Sequence, residues 1–302
     1  MEIRIACRKS PLAVLQANKF VEAIQKKYGK EIKCSLIPMH SAGDLTDKEL
    51  SQIGGKGLFI SELESALASG NADVAVHSLK DVPAKLNDGF EIISCLERGN
   101  PNDVIILKKN GPSAIQDLNN HSKIATSSPR RKAQWKMYNP TFEFVPIRGN
   151  ISTRISKFLE SNLDGLMMAA TALERLNIQE HHYDEFNYQD VVPSVCQGII
   201  GMEIYLGTIS QEKRQIIQSV NHQNSFDSAS MEREIIKSLD ADCMSPIGVI
   251  CRDEMIYLDA FNKEGTEIYQ LREALVSTEL KPALSPILEK LKNDRVHELI
   301  TK

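Results

Sequence analysis

The segment His77-Ser78-Leu79-Lys80-Asp81-Val82-Pro83 places polar side chains directly after a mostly apolar run over residues 72–76. Such a run predicts a short buried strand. In open α/β sheets the ligand crevice lies outside the carboxyl ends of the strands, so Ser78, Lys80 and Asp81 are candidate site residues, and Asp81 is the leading catalytic candidate. Taken alone, Lys80 and Asp81 also fit a solvated surface ion pair.

A strongly basic segment lies between residues 123 and 157, where eight Lys and Arg residues stand against one acidic residue, Glu143. The whole chain has 36 Lys and Arg against 40 Asp and Glu, a net charge of −4, so this segment opposes the overall sign and is expected to face an anion. The basic residues are Lys123, Arg130, Arg131, Lys132, Lys136, Arg148, Arg154 and Lys157.

The arginines of this segment lie where short predicted strands end. Residues in the turns between such elements typically line a pocket. A nucleic-acid surface would instead interleave basic residues with stacking aromatics or place them on one recognition helix. A guanidinium group can bind a carboxylate or phosphate through two parallel hydrogen bonds. Several such groups therefore indicate a small ligand with several anionic groups, and we expect no nucleic-acid partner.

Length and composition predict an ordinary globular enzyme of two or three domains, with 302 residues of which 42% are hydrophobic. The first residues enter a strand without a signal-peptide pattern, and no segment approaches the roughly 20 apolar residues of a membrane span. We therefore expect a cytoplasmic protein with no membrane partner. The six cysteines are widely spaced, and His181 with His182 fits a surface turn better than a metal site, so no metal is expected.

Alternating strand and helix patterns predict the domain organisation. Ser10-Pro11 begins a helix that ends at Gly29, which puts Arg8 and Ser10 in a strand-to-helix turn favourable to anions. Residues 41–57 are interpreted as a mobile lid. Domain 1 is predicted over residues 1–97 with 197–217, domain 2 over 101–193, and a small α+β domain 3 over 219–302. The first two α/β lobes are expected to form a hinged cleft.

Cys243 lies in a polar loop between a predicted helix and a predicted strand. A thiol in such a loop can serve as a nucleophile or an attachment point, because the thiolate is the reactive species and loops present it. The sequence itself leaves open the alternative of a half-buried spare thiol.

Seven short motifs occur in order along almost the whole chain. They are Arg8-Lys9-Ser10-Pro11, Gly54-Gly55-Lys56-Gly57-Leu58-Phe59, the segment from His77 to Pro83, Thr126-Ser127-Ser128-Pro129-Arg130-Arg131, Arg148-Gly149-Asn150 with Thr153-Arg154, Gln197-Gly198, and Cys243 before Pro246-Ile247-Gly248. In this set and order the chain closely resembles the porphobilinogen deaminase (hydroxymethylbilane synthase) family of tetrapyrrole biosynthesis.

The resemblance implies a fold whose first two domains are like type II periplasmic binding proteins. It implies a dipyrromethane cofactor held by a thioether to Cys243, and a transferase reaction that joins four porphobilinogen molecules head to tail with loss of ammonia. It assigns to Asp81 the stabilisation of cationic intermediates and the movement of protons. The implied carboxylate-binding arginines are Arg8, Arg130, Arg131, Arg148, Arg154 and Arg175, and the other implied site residues are Ser10, Lys56, Phe59, Ser78, Lys80, Ser128 and Gln197.

One departure from the family pattern concerns the cofactor loop, where Ala241 and Asp242 replace the usual pair of glycines. We expect this change to stiffen the loop and to disfavour the thiolate of Cys243. The competing hypothesis is a cytosolic polycarboxylate-binding protein with the same two lobes, for which Asp81 and Cys243 have no evident use. No long heptad or large apolar stripe indicates obligate assembly, so a monomer is expected.

Overall fold

The computed structural model describes residues 1–40, 60–109, 111–179, 181–276 and 280–302. The predicted lid at 41–57, with the candidate residues Lys56 and Phe59, lies outside these described residues. The chain forms two compact units, unit 1 (Met1–Gly99 with Gly198–Asp227) and unit 2 (Asn100–Gln197 with Ser228–Lys302). The three-domain division stays a prediction.

The strands are, in chain order, β1 (Glu2–Arg8), β2 (Lys33–Met39), β3 (Val74–Ser78), β4 (Phe90–Cys95), β5 (Asp103–Leu107), β6 (Lys123–Ala125), β7 (Glu143–Val145), β8 (Gly165–Ala169), β9 (Tyr183–Phe186), β10 (Ile200–Tyr205), β11 (Ile247–Arg252), β12 (Met255–Phe261) and β13 (Ile268–Ala274). The helices are α1 (Pro11–Tyr28), α2 (Ser61–Ala68), α3 (Pro129–Tyr138), α4 (Ile151–Glu160), α5 (Ala170–Arg175), α6 (Gln211–Gln218), α7 (Gln223–Ser238), α8 (Leu280–Asn293) and α9 (Val296–Thr301).

Unit 1 is built on a five-stranded sheet of order β2-β1-β3-β10-β4. Strands β2 and β3 run parallel to β1, whereas β10 is antiparallel to both β3 and β4. The late strand β10 therefore returns to the first sheet. One apolar core packs between this sheet and α1, with Ile3, Phe20 and Met202 fully buried.

Helix α1 begins and ends where the sequence predicted. The Ser10 hydroxyl accepts a hydrogen bond from the backbone N–H of Ala13, and Pro11 is the first helical residue. Gly29 ends the helix at a φ of 59°, which favours glycine. The buried face of the helix carries a polar residue, Gln16, whereas Leu15 is 37% exposed.

Unit 2 contains a second five-stranded sheet, of order β7-β6-β8-β5-β9, and a three-stranded antiparallel sheet, of order β11-β12-β13. In the five-stranded sheet β6, β7 and β8 run parallel, and β5 is antiparallel to β8. This repeats the pattern of unit 1, three parallel strands followed by an antiparallel insertion. The predicted class of two α/β lobes with a small α+β segment is confirmed by these sheets.

His181 and His182 lie just before β9 and outside regular secondary structure, whereas Asp184 and Glu185 lie within β9, which pairs antiparallel with β5. The ring of His182 is hydrogen-bonded to the carbonyl of Ser113, 2.6 Å from its Nε2. Within the described ranges, no group of three His, Cys, Asp or Glu side chains is arranged to hold a metal. Over the same ranges, no helix is both long and apolar enough to cross a bilayer.

Candidate active site

A pocket opens in unit 1 at the carboxyl ends of β1 and β3. Its empty space is about 430 Å³, a volume that includes open solvent. The polar residues that line it are Arg8, Ser10, Gln16, His77, Ser78 and Asp81. The fold therefore brings together four of the residues predicted from sequence, Arg8, Ser10, Ser78 and Asp81, from two segments 70 positions apart.

The amino-terminal turn of α1 forms one wall of this pocket. Its first backbone N–H groups and the positive end of the helix dipole favour an anion there. Gln16, which is 2% exposed, is hydrogen-bonded to the Ser78 hydroxyl at 2.7 Å and so links the helix to the end of β3. Sequence reasoning missed Gln16, although a glutamine among apolar helix positions was the available signal.

Asp81 lies at the end of a single 3₁₀ turn, Leu79–Asp81, that directly follows β3. Leu79 anchors this turn, because its side chain is 1% exposed and its N–H donates to the carbonyl of Ile199 at 3.0 Å. Asp81 is exposed at the pocket and Lys80 is half-buried. The turn thus presents a carboxylate from a fixed backbone position.

Two of the predicted arginines of unit 2 meet around a buried carboxylate that sequence reasoning did not select. Asp103, at the start of β5 and 1% exposed, accepts hydrogen bonds from Arg130 Nη2 at 2.6 Å and Arg131 Nη2 at 2.7 Å. Gln197 Nε2 donates to the same carboxylate at 2.9 Å. Arg130 and Arg131 are only 2% and 9% exposed. An acidic residue opening an apolar strand was the sequence signal for this group.

The group formed by Asp103, Arg130 and Arg131 carries a net positive charge. Burial alone would raise the pKa of Asp103, but the charges of Arg130 and Arg131 and the hydrogen bonds of Arg131 and Gln197 hold that pKa well below its usual range. One carboxylate therefore faces two guanidinium groups. In the described part of the chain, the buried Nε atoms of both arginines have no hydrogen-bond partner.

Helices α3 and α4 begin just after the carboxyl ends of β6 and β7, so the intervening turns carry the remaining predicted residues. Ser128 caps α3, with its hydroxyl 3.4 Å from the N–H of Arg131. Arg148 lies in the turn before α4, and Arg154 Nε donates to the carbonyl of Gly149 at 2.7 Å. Gly149 has a φ of 115°, and a Cβ there would lie 2.7 Å from the Thr153 side chain, so this turn requires glycine.

Arg175 is the last residue of α5 and is half-buried. Burial lowers its pKa to about 10, against an opposing effect of Glu174. The guanidinium therefore remains a cation at neutral pH and adds to the positive charge of unit 2.

Cys243 is exposed in the loop between α7 and β11. The neighbouring Asp242 carboxylate accepts hydrogen bonds from the N–H of Met244 at 2.9 Å and the hydroxyl of Ser245 at 3.3 Å. Asp240 takes a positive φ in this loop, but Ala241 and Asp242 do not. The two residues that replace glycines therefore adopt backbone conformations open to any residue, and Asp242 folds the loop beside the thiol.

Comparison with known protein families gives a match over much of the chain. Residues 3–212 match the family model described as "Porphobilinogen deaminase, dipyromethane cofactor binding domain". A porphobilinogen deaminase of Clostridium botulinum (strain Loch Maree) is 39% identical over 249 residues, covering 82% of this chain and 83% of that protein. Those of Clostridium acetobutylicum and Acetivibrio thermocellus are 38% and 34% identical and cover 89% and 90% of this chain, and 91% of each relative.

Similar solved structures include a TRAP periplasmic solute binding protein from Desulfovibrio salexigens, with a TM-score of 0.43 and 9% identity over 78% of this chain and 75% of that one. A probable amino-acid ABC transporter extracellular-binding protein from Bacillus subtilis has a TM-score of 0.43 and 14% identity, covering 78% of this chain and 97% of that one. Because these TM-scores and identities are low, the fold class rests on the observed sheets and the family match.

Proposed function

The chain belongs to the porphobilinogen deaminase family, and we propose that it acts as the transferase of tetrapyrrole biosynthesis that joins four porphobilinogen molecules head to tail. Each coupling releases ammonia, and water then releases the linear product, hydroxymethylbilane. Family membership supports this enzyme over a polycarboxylate-binding protein. The observation that carries the proposal for the site is the placement of Asp81 and Arg8 in one pocket of unit 1.

In unit 1 we assign the charge-handling role to Asp81. Loss of ammonia leaves a cationic ring, and a fixed carboxylate beside it stabilises that cation without reorganising in the reaction. Arg8 and Lys80 are proposed to bind the acetate and propionate groups of the substrate. Ser10 and Ser78 supply hydroxyl groups at the start of α1, where backbone N–H groups favour the same carboxylates.

In unit 2 we assign carboxylate binding to the positive group around Asp103. Arg131 keeps 11% of its side chain exposed, whereas Arg130 keeps 2%, so Arg130 is proposed to act through its charge and Arg131 by contact. Gln197 is proposed to hold Asp103 in place. Four further residues are proposed to bind the carboxylates of the growing chain, namely Ser128, Arg148, Arg154 and Arg175.

The residues present fit a dipyrromethane. Its two rings bring several carboxylates, which match the guanidinium groups and helix N-termini of unit 2, and Cys243 has the exposure that a thioether needs. When bound, this group supplies the free pyrrole α-carbon to which the first substrate is joined. Asp242, engaged with Met244 and Ser245, is proposed to hold the attachment loop in one conformation. The matched family model ends at residue 212, so the attachment to Cys243 is part of the proposal.

We further propose the three-domain division at 1–97 with 197–217, 101–193 and 219–302, and a cytoplasmic monomer. Lys56 and Phe59 belong to the proposal as site residues on the strength of the resemblance of their motif. Porphobilinogen is the proposed small-molecule substrate.

A denaturing mass spectrum of the purified chain tests this function. The chain should weigh more than its sequence by two pyrrole units, and Cys243→Ser should lose that increment because no other sulfur is proposed to carry it. Cys34→Ser is the matched control, since Cys34 lies half-buried in β2, and it should keep the increment. An active protein with unmodified mass would reject the cofactor assignment.

A further inference from the structure

Three titratable side chains lie inside unit 1 next to the pocket that Asp81 lines. His77 belongs to β3, Glu203 to β10 and Glu64 to α2. His77 Nε2 lies 2.9 Å from Glu203 Oε2, and the two side chains are 4% and 0% exposed. The antiparallel pairing of β3 with β10 brings this pair together from 126 positions apart. A buried pair of this kind differs from the common surface ion pair because water does not screen it.

The hydrogen bond to Glu203 selects a tautomer of His77. If the carboxylate accepts, Nε2 carries the ring proton and Nδ1 is left as a proton acceptor. Within the described ranges, Glu203 is the one hydrogen-bond partner of this imidazole. His77 also lines the pocket with Arg8 and Asp81, so the residue that carries this acceptor nitrogen belongs to the proposed site.

The Glu203 carboxylate can offset the positive charge that the His77 ring acquires when it takes up a proton. Glu203 Oε1 is buried and, in the part of the chain that the structure describes, has no hydrogen-bond partner, so an imidazolium would offset an otherwise uncompensated carboxylate. Burial and the charge of Glu203 raise the pKa of Glu64, against opposing effects of Asn87 and His77. The charged groups that face His77 are Glu203 and Glu64 in the interior, and Arg8 and Asp81 at the pocket.

We propose that His77, oriented by Glu203, accepts the ring proton that each coupling of substrate-derived rings releases. This inference rests on the proposed function, and it gives two residues of unit 1 separate roles in the reaction. Asp81 stabilises the positive charge, and His77 removes the proton. A histidine suits that task because an ordinary imidazole has a pKa of about 6.5, closer to neutral pH than that of a carboxyl group.

The proposed step balances as follows. The aminomethyl nitrogen of the incoming substrate is protonated, so its C–N bond breaks with the electron pair leaving on neutral ammonia and a cationic ring remains. The methylene carbon of that ring then bonds to the free α-carbon of the preceding ring, whose π electrons form the new C–C bond. The accepting ring is then cationic and still carries its α-hydrogen. Nδ1 of His77 takes that hydrogen as a proton, and the C–H electron pair restores the aromatic ring. Ammonia finally takes the proton from the imidazolium and leaves as ammonium.

The first test is the tautomer of His77, measured by ¹⁵N NMR of histidine-labelled protein. Wild type and Cys243→Ser should both show Nε2 protonated and Nδ1 unprotonated at neutral pH, because Glu203 sets the tautomer whether or not a cofactor is attached. Glu203→Gln should lose this single tautomer. A proton on Nδ1 in the wild type would mean that Glu203 donates instead, and the inference would be overturned.

The second test uses porphobilinogen deuterated at its free α-carbon. In His77→Asn the coupling rate should fall by about 10²- to 10⁴-fold, and the isotope effect should exceed that of wild type because proton removal becomes the slow step. His222→Asn is the matched control, since His222 is half-buried in the same unit and is hydrogen-bonded to Ser225. It should leave both the rate and the isotope effect unchanged.

The outcomes separate this inference from the proposed function. A wild-type chain that forms no tetrapyrrole overturns both. A wild-type chain that forms tetrapyrrole, with a His77→Asn variant whose isotope effect matches that of wild type, overturns the role of His77 alone. If His77→Asn does not fold, Glu203→Gln carries the same isotope test, because a loss of the tautomer should slow the same proton removal.

Discussion

Asp103→Asn should strongly destabilise unit 2 while changing almost nothing in size or shape. The substitution removes the carboxylate that pairs with both Arg130 and Arg131, at 2.6 and 2.7 Å. It leaves Arg130, 2% exposed, as a buried cation beside a second one. Breaking a buried ion pair by removing one partner costs about 3–5 kcal/mol. The unfolding equilibrium constant should therefore change by a factor on the order of 10² to 10⁴.

Asp259→Asn is the matched control within the same unit. The Asp259 side chain is also 2% exposed and lies 2.8 Å from Arg272. Its charge also favours the Arg130 cation, but to a smaller extent than the charge of Asp103 does. Arg272, however, keeps 29% of its side chain exposed, so water can solvate the cation that the substitution leaves behind. We expect a loss of about 1–2 kcal/mol, the size of one hydrogen bond to a charged group.

Urea denaturation followed by tryptophan fluorescence measures both variants. The chain has a single tryptophan, Trp135, which lies in α3 and is 6% exposed, so its emission reports on unit 2. Asp103→Asn should lower the midpoint at an unchanged slope. The reasoning is refuted if Asp103→Asn costs less than about 1 kcal/mol, or if it costs no more than Asp259→Asn.

The same carboxylate has a predictable pH dependence. The pKa of Asp103 is held below its usual range by Arg130 and Arg131, although burial opposes them. Because the folded pKa lies below the unfolded value of about 3.9, the carboxylate adds stability above that pH. Its contribution is lost as the pH falls through the folded pKa. Asp103→Asn should therefore lose less stability than wild type on acidification below about pH 4.

Three further predictions concern separate parts of the molecule. Asp81→Asn should leave folding unchanged, because the side chain is exposed, and should lower turnover by at least about 10²-fold; near-normal turnover would remove Asp81 from the mechanism. Gly248→Ala should destabilise the chain by about 1–3 kcal/mol in thermal unfolding, since a Cβ would lie 2.4 Å from the backbone oxygen of Val192; an unchanged melting temperature would contradict this. Burial raises the pKa of Cys7 to about 11, so iodoacetamide at pH 8 should leave it unmodified while it alkylates the exposed Cys243 of cofactor-free protein; peptide mass spectrometry would show the reverse if the burial argument fails.

Local physics made many element boundaries predictable from the sequence. Ser10-Pro11 and Ser128-Pro129 each place a capping hydroxyl before a proline, and α1 and α3 begin at those prolines. The bounds of β5, β8 and β12 also agree with their apolar runs. A cap or a short apolar run involves residues a few positions apart, so the information lies within the segment itself.

The candidate residues were predictable as a set, but their individual environments were not. The sequence placed Arg8, Ser10, Ser78 and Asp81 at the ends of strands, and the structure brings these four to one pocket. The sequence did not distinguish Arg130 from the other arginines. That distinction depends on Asp103, which is 27 positions away and reaches Arg130 only across the packed sheet.

The amino-acid sequence by itself determined the strand and helix alternation, the basic segment that opposes the net charge, and the ordered motifs that indicate the family. Only the tertiary structure decided which carboxylate pairs with the buried arginines, and that Glu203 meets His77. The physical reason is the separation along the chain over which each interaction acts. Helix caps and hydrophobic periodicity act between near neighbours in the chain, whereas a buried ion pair depends on strand order, and β10 enters its sheet between β3 and β4 after more than a hundred intervening residues.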